Sequence, residues 1–593
     1  MDQKACLAKT NFKKGQIQMK TNKFLSSLKK ADSDNSISVT ENGALGYARS
    51  GHKLTDFFFK VGSMRNLGPI EIANDFAEVY AEDKKRALEL MFFVRDCRGG
   101  QGEKHVFNAI YGWLVKNDPS AAVSLLSLIP EYGSWKTFFE LTPYFLSASE
   151  DVRKAANDFF VDQWDNDIDG MEAEKSISLM AKWCPSANAS SQETKNRARY
   201  WRSVLGVTEK EYRKTLASLR DYIKVLETKM STNKWSEIDY NAVPSRAGVI
   251  YRNSFLKHDE TRRRQWLADL QKPESGAKIN TGVLDCPTIV NKYINYNYWT
   301  ANPKGEDATL EAAWKDLVTK GRELGVTNFI PVVDGSGSMY GASVAGTTLR
   351  AADVAMGLGL YFAGINSDPW RGKVIEFGSN PVFYEVDTDG KLCNQIAIST
   401  RHADCGCTDL EAVFDLVLDA AINGNLKQSE IPGIIIFSDM EFNGACRCPD
   451  VRLMKAIERK WNAAGYQLPK LFFWNICSRT NTIPLTENDL GVGLLSGFSQ
   501  SIMRMVMSSK LDPYEIIIEQ LDAPRYDLVR QMLMNHCPFC GKKPLHVITS
   551  ESSHHIYECD NPNCPKFSFG IVVEKPTNAE AIAEWNSRTS SVS

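Results

Sequence analysis

Three oxygen-bearing side chains crowd into the six residues Asp334-Gly335-Ser336-Gly337-Ser338-Met339. A carboxylate and two hydroxyls on a glycine-relaxed turn can all face one hard cation, because Mg2+ takes oxygen ligands at about 2.0–2.1 Å in octahedral array. Two later positions extend the set. Thr408-Asp409 opens a helical pattern beginning at Leu410, and Asp439 follows Ser438 after the apolar run Ile434–Phe437. A different chemistry sits near the C-terminus, where Cys537-Pro-Phe-Cys540 is followed by Gly541 and later by Cys559 and Cys564. The Cys-x2-Cys knuckle turns two thiolates toward one ion and the second pair closes a tetrahedron, so four sulfur ligands point to structural Zn2+. A segment that small buries too little surface to fold unaided, and the metal supplies the difference. Two closer pairs, Cys405/Cys407 and Cys446/Cys448, flank the oxygen set. Their spacing is tighter than that of a zinc knuckle, which leaves loop thiols as the favoured reading and a second metal as the alternative.

The elements that must present these groups can be read from the apolar pattern. From about 322 to 510, short apolar runs alternate with amphipathic stretches: Asn328–Val333, a helical span Leu349–Ala363, Lys373–Phe377, Val382–Val386, a helical face through Leu410, Val413, Phe414, Val417 and Leu418, then Ile434–Phe437 and Leu471–Asn475. Continuous apolar runs of this kind indicate a mostly parallel sheet covered on both faces. On such sheets ligands sit at the carboxyl ends of the strands, which is where Asp334 and Asp439 fall. From about 55 to 310 the spacing is helical instead. Ala73, Phe76, Ala77 and Tyr80 mark one stripe, continued by Leu88, Met91 and Phe92, with Gly or Pro between segments. Stacked helices without a fixed repeat length are expected.

The chain has 593 residues, 43% hydrophobic and 24% charged, too long for one core and too apolar for wholesale disorder. Seventy Lys and Arg against 72 Asp and Glu leave a net charge of −2, so any polyanion surface has to be local. No run of 18 apolar residues could cross a bilayer, and the Lys-rich N-terminus has no apolar core of a signal peptide. A cytoplasmic chain is expected, with its 14 cysteines as thiols or metal ligands. No nucleophile, Walker or zinc-protease motif is present, so an enzyme is not expected.

The oxygen set resembles the metal-ion-dependent adhesion site (MIDAS) of von Willebrand factor A domains. That resemblance assigns Mg2+ ligation, direct or through water, to Asp334, Ser336, Ser338, Thr408 and Asp439. It also implies a coordination position left for an acidic group of a partner protein. The Cys537-Pro-Phe-Cys540-Gly541 knuckle and the tail Ala581-Ile-Ala-Glu-Trp585-Asn586-Ser-Arg588 resemble the restriction-alleviation (Lar-type) zinc ribbons of phages. The segments around Arg95-Asp96-Cys-Arg98-Gly99-Gly100 and Tyr132-Gly133-Ser-Trp135 resemble the helical ring of Ro-type (TROVE) RNA-binding proteins. Closer still is an uncharacterised family of plants, phages and large viruses with the same two-part plan. Its pattern appears in Glu41-Asn42-Gly43-Ala44, Lys182-Trp183-Cys184-Pro185-Ser186, Tyr212-Arg213-Lys214 and Val243-Pro244-Ser245.

RNA has some independent support. Residues 195–264 hold 17 Lys or Arg against 8 Asp or Glu, a balance of 17 − 8 = +9. Tyr200, Trp201, Tyr212, Tyr222, Trp235, Tyr251 and Phe255 are interleaved with them. Basic groups track phosphates while aromatic faces accept unstacked bases. The candidates are Arg197, Arg199, Arg202, Arg213, Lys214, Arg246, Arg252, Arg262, Arg263 and Arg264.

The expected architecture is therefore a multidomain α plus α/β chain. A disordered basic arm covers 1–40; an irregular, HEAT-like helical-repeat domain covers 41–315 and forms a ring. A Rossmann-like von Willebrand A domain with return helices covers 320–530 and closes that ring, and a Lar-type ribbon covers 535–590. The expected function is that of a Ro-like, phage-encoded RNA-binding protein, with a protein-interaction scaffold or anti-restriction factor as the alternative.

Overall fold

The computed structural model describes residues 37–590 apart from 298–299, 327, 445–451, 481, 485–491, 509–511, 535–544, 549–554 and 559–571. Its strands in chain order are β1 (Ile37–Val39), β2 (Leu45–Tyr47), β3 (Ile294–Asn297), β4 (Thr300–Pro303), β5 (Phe329–Asp334), β6 (Lys373–Phe377), β7 (Val382–Glu385), β8 (Gly433–Ser438), β9 (Leu471–Asn475), β10 (Val492–Ser496), β11 (Leu545–Ile548), β12 (His555–Glu558) and β13 (Val572–Lys575). Six of them form a mixed sheet in the order β10-β9-β8-β5-β6-β7. The first five are parallel neighbours, and β7 runs antiparallel on the β6 edge.

The apolar runs explain that order. Every residue of β5, β8 and β9 is buried, as central parallel strands covered on both faces require, and so is every residue of edge strand β10, which helix Lys53–Lys60 covers. Edge strand β7 alternates and exposes Phe383 instead. Strand β10, with its sequence Val-Gly-Leu-Leu-Ser, has no counterpart among the expected strands.

Helix Ala351–Ile365 is buried along its whole length. It lies between β5 and two helices of the preceding region, Cys286–Tyr293 and Ala308–Arg322. Gly357 makes the first approach possible, since a Cβ there would stand 3.0 Å from the Cα of Pro287. The earlier end of the helical region meets the β10 edge of the sheet. Helix Lys53–Lys60 rests on β10, the Asn475 amide donates to the Phe59 carbonyl at 2.9 Å, and the Gln101 amide donates to the Ser496 carbonyl at 2.9 Å. Buried Asp96 accepts from Arg525 and from the Tyr526 hydroxyl, fastening the region again to the segment that follows the sheet. The helical region thus starts and ends on the α/β unit.

Between those ends the helices differ widely in length, from Met180–Trp183 to the 23-residue Glu150–Glu172. Their core is aromatic: Phe138, Phe139, Phe160 and Trp201 interlock, and Trp164 stacks on Tyr212 with ring centroids 5.6 Å apart. Such contacts add about 0.5–1.5 kcal/mol each beyond the area they bury. A second, smaller core gathers Leu226, Ile238, Tyr240, Val243, Ala247 and Phe255.

Two boundaries move. Residues 37–40 do not belong to an arm: β1 pairs with β2, and Thr40 is buried and bonded. The helix Ala308–Arg322 runs across the expected break between 315 and 320. The C-terminal unit is the antiparallel sheet β11-β12-β13 with helix Asn578–Ser590 against it. Met534, Tyr557, Val573, Ala581, Ile582 and Trp585 form its core, so the tail motif contributes packing. Cys537, Cys540, Cys559 and Cys564 lie outside the described residues, as do Cys446 and Cys448. Among the described residues, no helix is long and apolar enough to cross a membrane.

Candidate functional site

Strand pairing brings the oxygen set together. Val333 on β5 faces Phe437 on β8, which sets Asp334 beside Ser438 and places Asp439 one residue beyond. The Ser438 hydroxyl donates to Asp334 Oδ2, and the Ser336 N–H donates to Asp334 Oδ1 at 3.0 Å. Ser336 Oγ and Ser338 Oγ lie 3.1 Å apart, and Ser338 hydrogen-bonds to Asp439. Thr408 comes from another loop, one residue ahead of Asp409, the N-cap of helix Leu410–Asn423, which accepts from Ala412 N–H at 3.1 Å. That loop is tied to the first by two backbone bonds, Gly337 N–H to the Gly406 carbonyl and Cys405 N–H to the Gly335 carbonyl, both 3.1 Å. A side chain at position 337 would put its Cβ 2.9 Å from the Cys405 carbonyl oxygen, so glycine lets the loops touch.

Asp334, Ser336, Ser338 and Asp439 therefore meet at the carboxyl edge of the sheet, and backbone bonds between their loops bring the Thr408 segment alongside. Asp334, Ser336, Thr408 and Asp439 are buried, and Ser338 is half-buried on the open side. Burial, reinforced by the charge of Asp439, raises the Asp334 carboxyl. Burial also raises Asp439, against the pull of Arg479. Two carboxylates buried side by side and both raised are a site short of positive charge. An all-oxygen donor set of this kind fits a hard divalent cation, which would supply that charge and one ligand position. Among the described residues, no group of three or more His, Cys, Asp or Glu is assembled for a metal, so the candidate centre depends on its hydroxyls.

Sequence reasoning missed four neighbours. Glu441 is buried and accepts from the N–H groups of Glu41, Arg479 and Thr480 at 2.7–2.9 Å. Burial acts to raise its carboxyl, but those donors outweigh burial and hold it below the usual range. Asn42 donates to the Glu441 carbonyl at 2.6 Å and reaches Thr408 Oγ1 at 3.4 Å. Arg479 contacts Asp439, and buried Glu376, raised to about 8 by burial, lies behind Gly335. The motif Glu41-Asn42-Gly43-Ala44 was the one signal pointing here, without its partner.

The arginine-rich stretch behaves differently. Arg263 is a core residue: its guanidinium sits 4.3 Å from the Trp266 ring centroid, 4.9 Å from Tyr240 and 5.2 Å from Phe255, and it donates to Thr309 at 3.1 Å. That removes it from the RNA candidates. Arg197 pairs with Glu193, Arg202 with Glu209, Arg246 with Asp285, Arg252 with Asp307, Arg262 with Asp259 and Arg264 with Glu260. Arg199, Arg213 and Lys214 are exposed and have no ion-pair partner among the described residues. The aromatic residues are corrected too. Trp201, Tyr212 and Phe255 are fully buried and so are not available to stack on bases, while half-buried Tyr200 bonds Asn157 and half-buried Trp235 stacks on His258. The Lys182–Ser186 motif is likewise architectural: Arg220 donates to the carbonyls of Ala181 and Cys184, and Tyr212 donates to that of Pro185.

Comparison with known proteins follows this division. Residues 328–525 match a family model described as a domain of unknown function (DUF7788); residues 40–157 and 187–326 match another domain of unknown function (DUF2828). Over 526 residues the chain is 31% identical to "Uncharacterized protein L728" of Acanthamoeba polyphaga mimivirus, spanning 82% of this chain and 87% of the viral one. The chain belongs to that protein's family. Among solved structures, the Ro (RSR) protein of Deinococcus radiodurans aligns at 12% identity with a TM-score of 0.41, over 75% of this chain and 92% of that one. The two matched regions meet just ahead of β5, one ending at residue 326 and the other beginning at 328. The loops that carry Asp334, Ser336, Ser338, Thr408 and Asp439 and the helical region therefore fall in separate matched segments.

Proposed function

We propose that this family member is a non-catalytic binding protein whose α/β unit is a von Willebrand A-type module that holds Mg2+ at an adhesion-type site. Asp334, Ser336, Ser338, Thr408 and Asp439 hold the ion, and an acidic group of a partner protein takes the remaining position. The observation that carries this reading is the meeting of two raised, buried carboxylates with the hydroxyls of Ser336 and Ser338, beside the loop that carries Thr408. Calorimetric titration of the full chain with Mg2+ and Mn2+ should show one site, lost in Asp334→Ala. Equal heats from both proteins would refute it.

A Ro-like role in RNA binding is the second component of the proposal. Its support is narrower than the composition suggested: Arg199, Arg213 and Lys214 are the cations of the candidate set without an ion-pair partner among the described residues. The helical region, anchored at both ends on the α/β unit, would form the ring in this reading, with the C-terminal unit as a zinc ribbon held by Cys537, Cys540, Cys559 and Cys564. Filter binding of single-stranded RNA at two salt concentrations tests it, since counterion release gives a log–log slope of about −0.7 per phosphate engaged. No retention at low salt leaves the alternative, a cation-dependent protein scaffold. Zinc analysis of the purified chain, with and without Cys537→Ser, tests the ribbon.

A further inference from the structure

Arg479 places a fixed positive charge at the rim of the candidate cation site, and a second carboxylate competes for it. Its Nη1 stands 3.1 Å from Asp439 Oδ2, while Nη2 and Nε lie 2.7 and 2.8 Å from Glu41 Oε2. One guanidinium is therefore divided between a buried carboxylate of the site and an exposed one outside it; the Glu41 side chain is 53% exposed and that of Asp439 is 0%.

The surroundings hold both partners in place and leave that charge as the adjustable part. The backbone N–H of Arg479 is bound to Glu441 Oε1 at 2.7 Å, and that of Glu41 to Glu441 Oε2 at 2.8 Å. One buried carboxylate thus fixes the main chain of both members of the outer pair. Segment 40–44 is further pinned by the Thr40 hydroxyl on the Phe442 carbonyl at 2.5 Å and by Gly444 N–H on the Asn42 carbonyl at 3.2 Å. The Arg479 side chain itself is about one-third exposed.

A divalent ion at Asp439 and a guanidinium on the same carboxylate repel at short range, and in a partly buried site solvent screens that repulsion poorly. Resting on the cation reading above, we propose that Arg479 is a built-in counter-cation that lowers the affinity of the site for a divalent ion. In the same proposal, Glu41 tunes the affinity by drawing the guanidinium off Asp439. Glu41 precedes the helical region, so the strap that starts that region also sets the charge at the sheet edge.

A mutant cycle on the full chain tests this. Mn2+ uptake is followed by the loss of the free-ion paramagnetic resonance signal, and Mg2+ competition gives the second affinity. Arg479→Gln should tighten binding about tenfold, the size expected for one neighbouring charge in a partly screened site. Glu41→Gln should weaken it, because the full guanidinium then falls on Asp439. The double variant should match Arg479→Gln within about twofold, since Glu41 acts through Arg479. Uptake that is unchanged or weaker in Arg479→Gln overturns the proposal, as does a Glu41→Gln effect that persists undiminished in the double variant. Should Arg479→Gln fail to fold, Glu41→Gln alone decides: unchanged affinity overturns the proposal. Absence of Mn2+ uptake at millimolar concentration in the wild type and every variant overturns the cation reading itself, a separate outcome.

Discussion

The carboxyl edge of the sheet and the arginine-rich stretch 195–264 are both dense in charge, and the structure treats them in opposite ways. At the sheet edge, Asp334 and Asp439 are buried side by side with less positive charge than they need. Along 195–264 six of the ten candidate cations pair with carboxylates of the protein, and Arg263 sits in an aromatic cage. Unsettled charge marks a place where a ligand can contribute, whereas settled charge marks architecture. Net charge along a segment does not separate the two.

The comparison breaks first, and with the largest effect, at the hydroxyls. Ser336→Ala combined with Ser338→Ala removes two ligands of the proposed site and, from the fold, one hydroxyl pair and the hydroxyl bonds to Asp334 and Asp439. Mg2+ binding should weaken at least about a hundredfold, roughly 2.7 kcal/mol, while the thermal midpoint without metal shifts by no more than about 3 °C. A full metal response in that variant would mean the sheet edge is as settled as the helical stretch.

Arg263 supplies the reverse case. Alanine there empties a cage of three rings and strips Thr309 of its donor, with an expected loss of about 3 kcal/mol in a denaturant titration. Burial lowers the guanidinium, against the pull of Tyr240 and Asp307. Arg263→Met, which refills the cage without charge, should recover most of that loss. RNA retention should be the same in both variants.

What could be read beforehand follows the same line. Asp334, Ser336, Ser338, Thr408 and Asp439 were legible because each sits at a strand or helix end, and strand ends are fixed by apolar runs that sequence shows directly. Asn42, Glu441 and Arg479 were not, because they act through contacts between segments 37 to 438 residues apart, which no local pattern encodes. The sheet was legible except for β10, whose five residues are interrupted by Gly493; that glycine makes room for the Phe472 ring beneath it. The aromatic residues of 195–264 misled for a physical reason. A tyrosine every ten or so residues among arginines describes an RNA surface and a set of amphipathic helices equally well, and only burial distinguishes them.

Arg199, Arg213 and Lys214 are where the helical stretch most resembles the sheet edge, because their charges have no ion-pair partner among the described residues. Reversing all three to Glu should change folding stability by no more than about 0.5 kcal/mol, as exposed positions do. If they engage phosphates, RNA affinity at low salt falls about tenfold or more and the salt slope becomes shallower by about 2. Unchanged retention would make the whole stretch architectural, these three cations included.

The smallest effect belongs to Tyr212, which directly precedes two of those cations in sequence yet is fully buried. Its hydroxyl donates to the Pro185 carbonyl at 2.7 Å and sits 3.1 Å from Cys184 Sγ, and its ring lies parallel to Trp164. Tyr212→Phe keeps the stacked ring and deletes the hydroxyl, leaving one buried carbonyl without its donor. The expected cost is about 1 kcal/mol of stability. RNA retention should not move, because the ring faces Trp164 and not solvent. Loss of RNA binding without loss of stability would mean that this ring leaves the core to meet a base, and the division between settled and unsettled groups would then fail where burial looked most decisive.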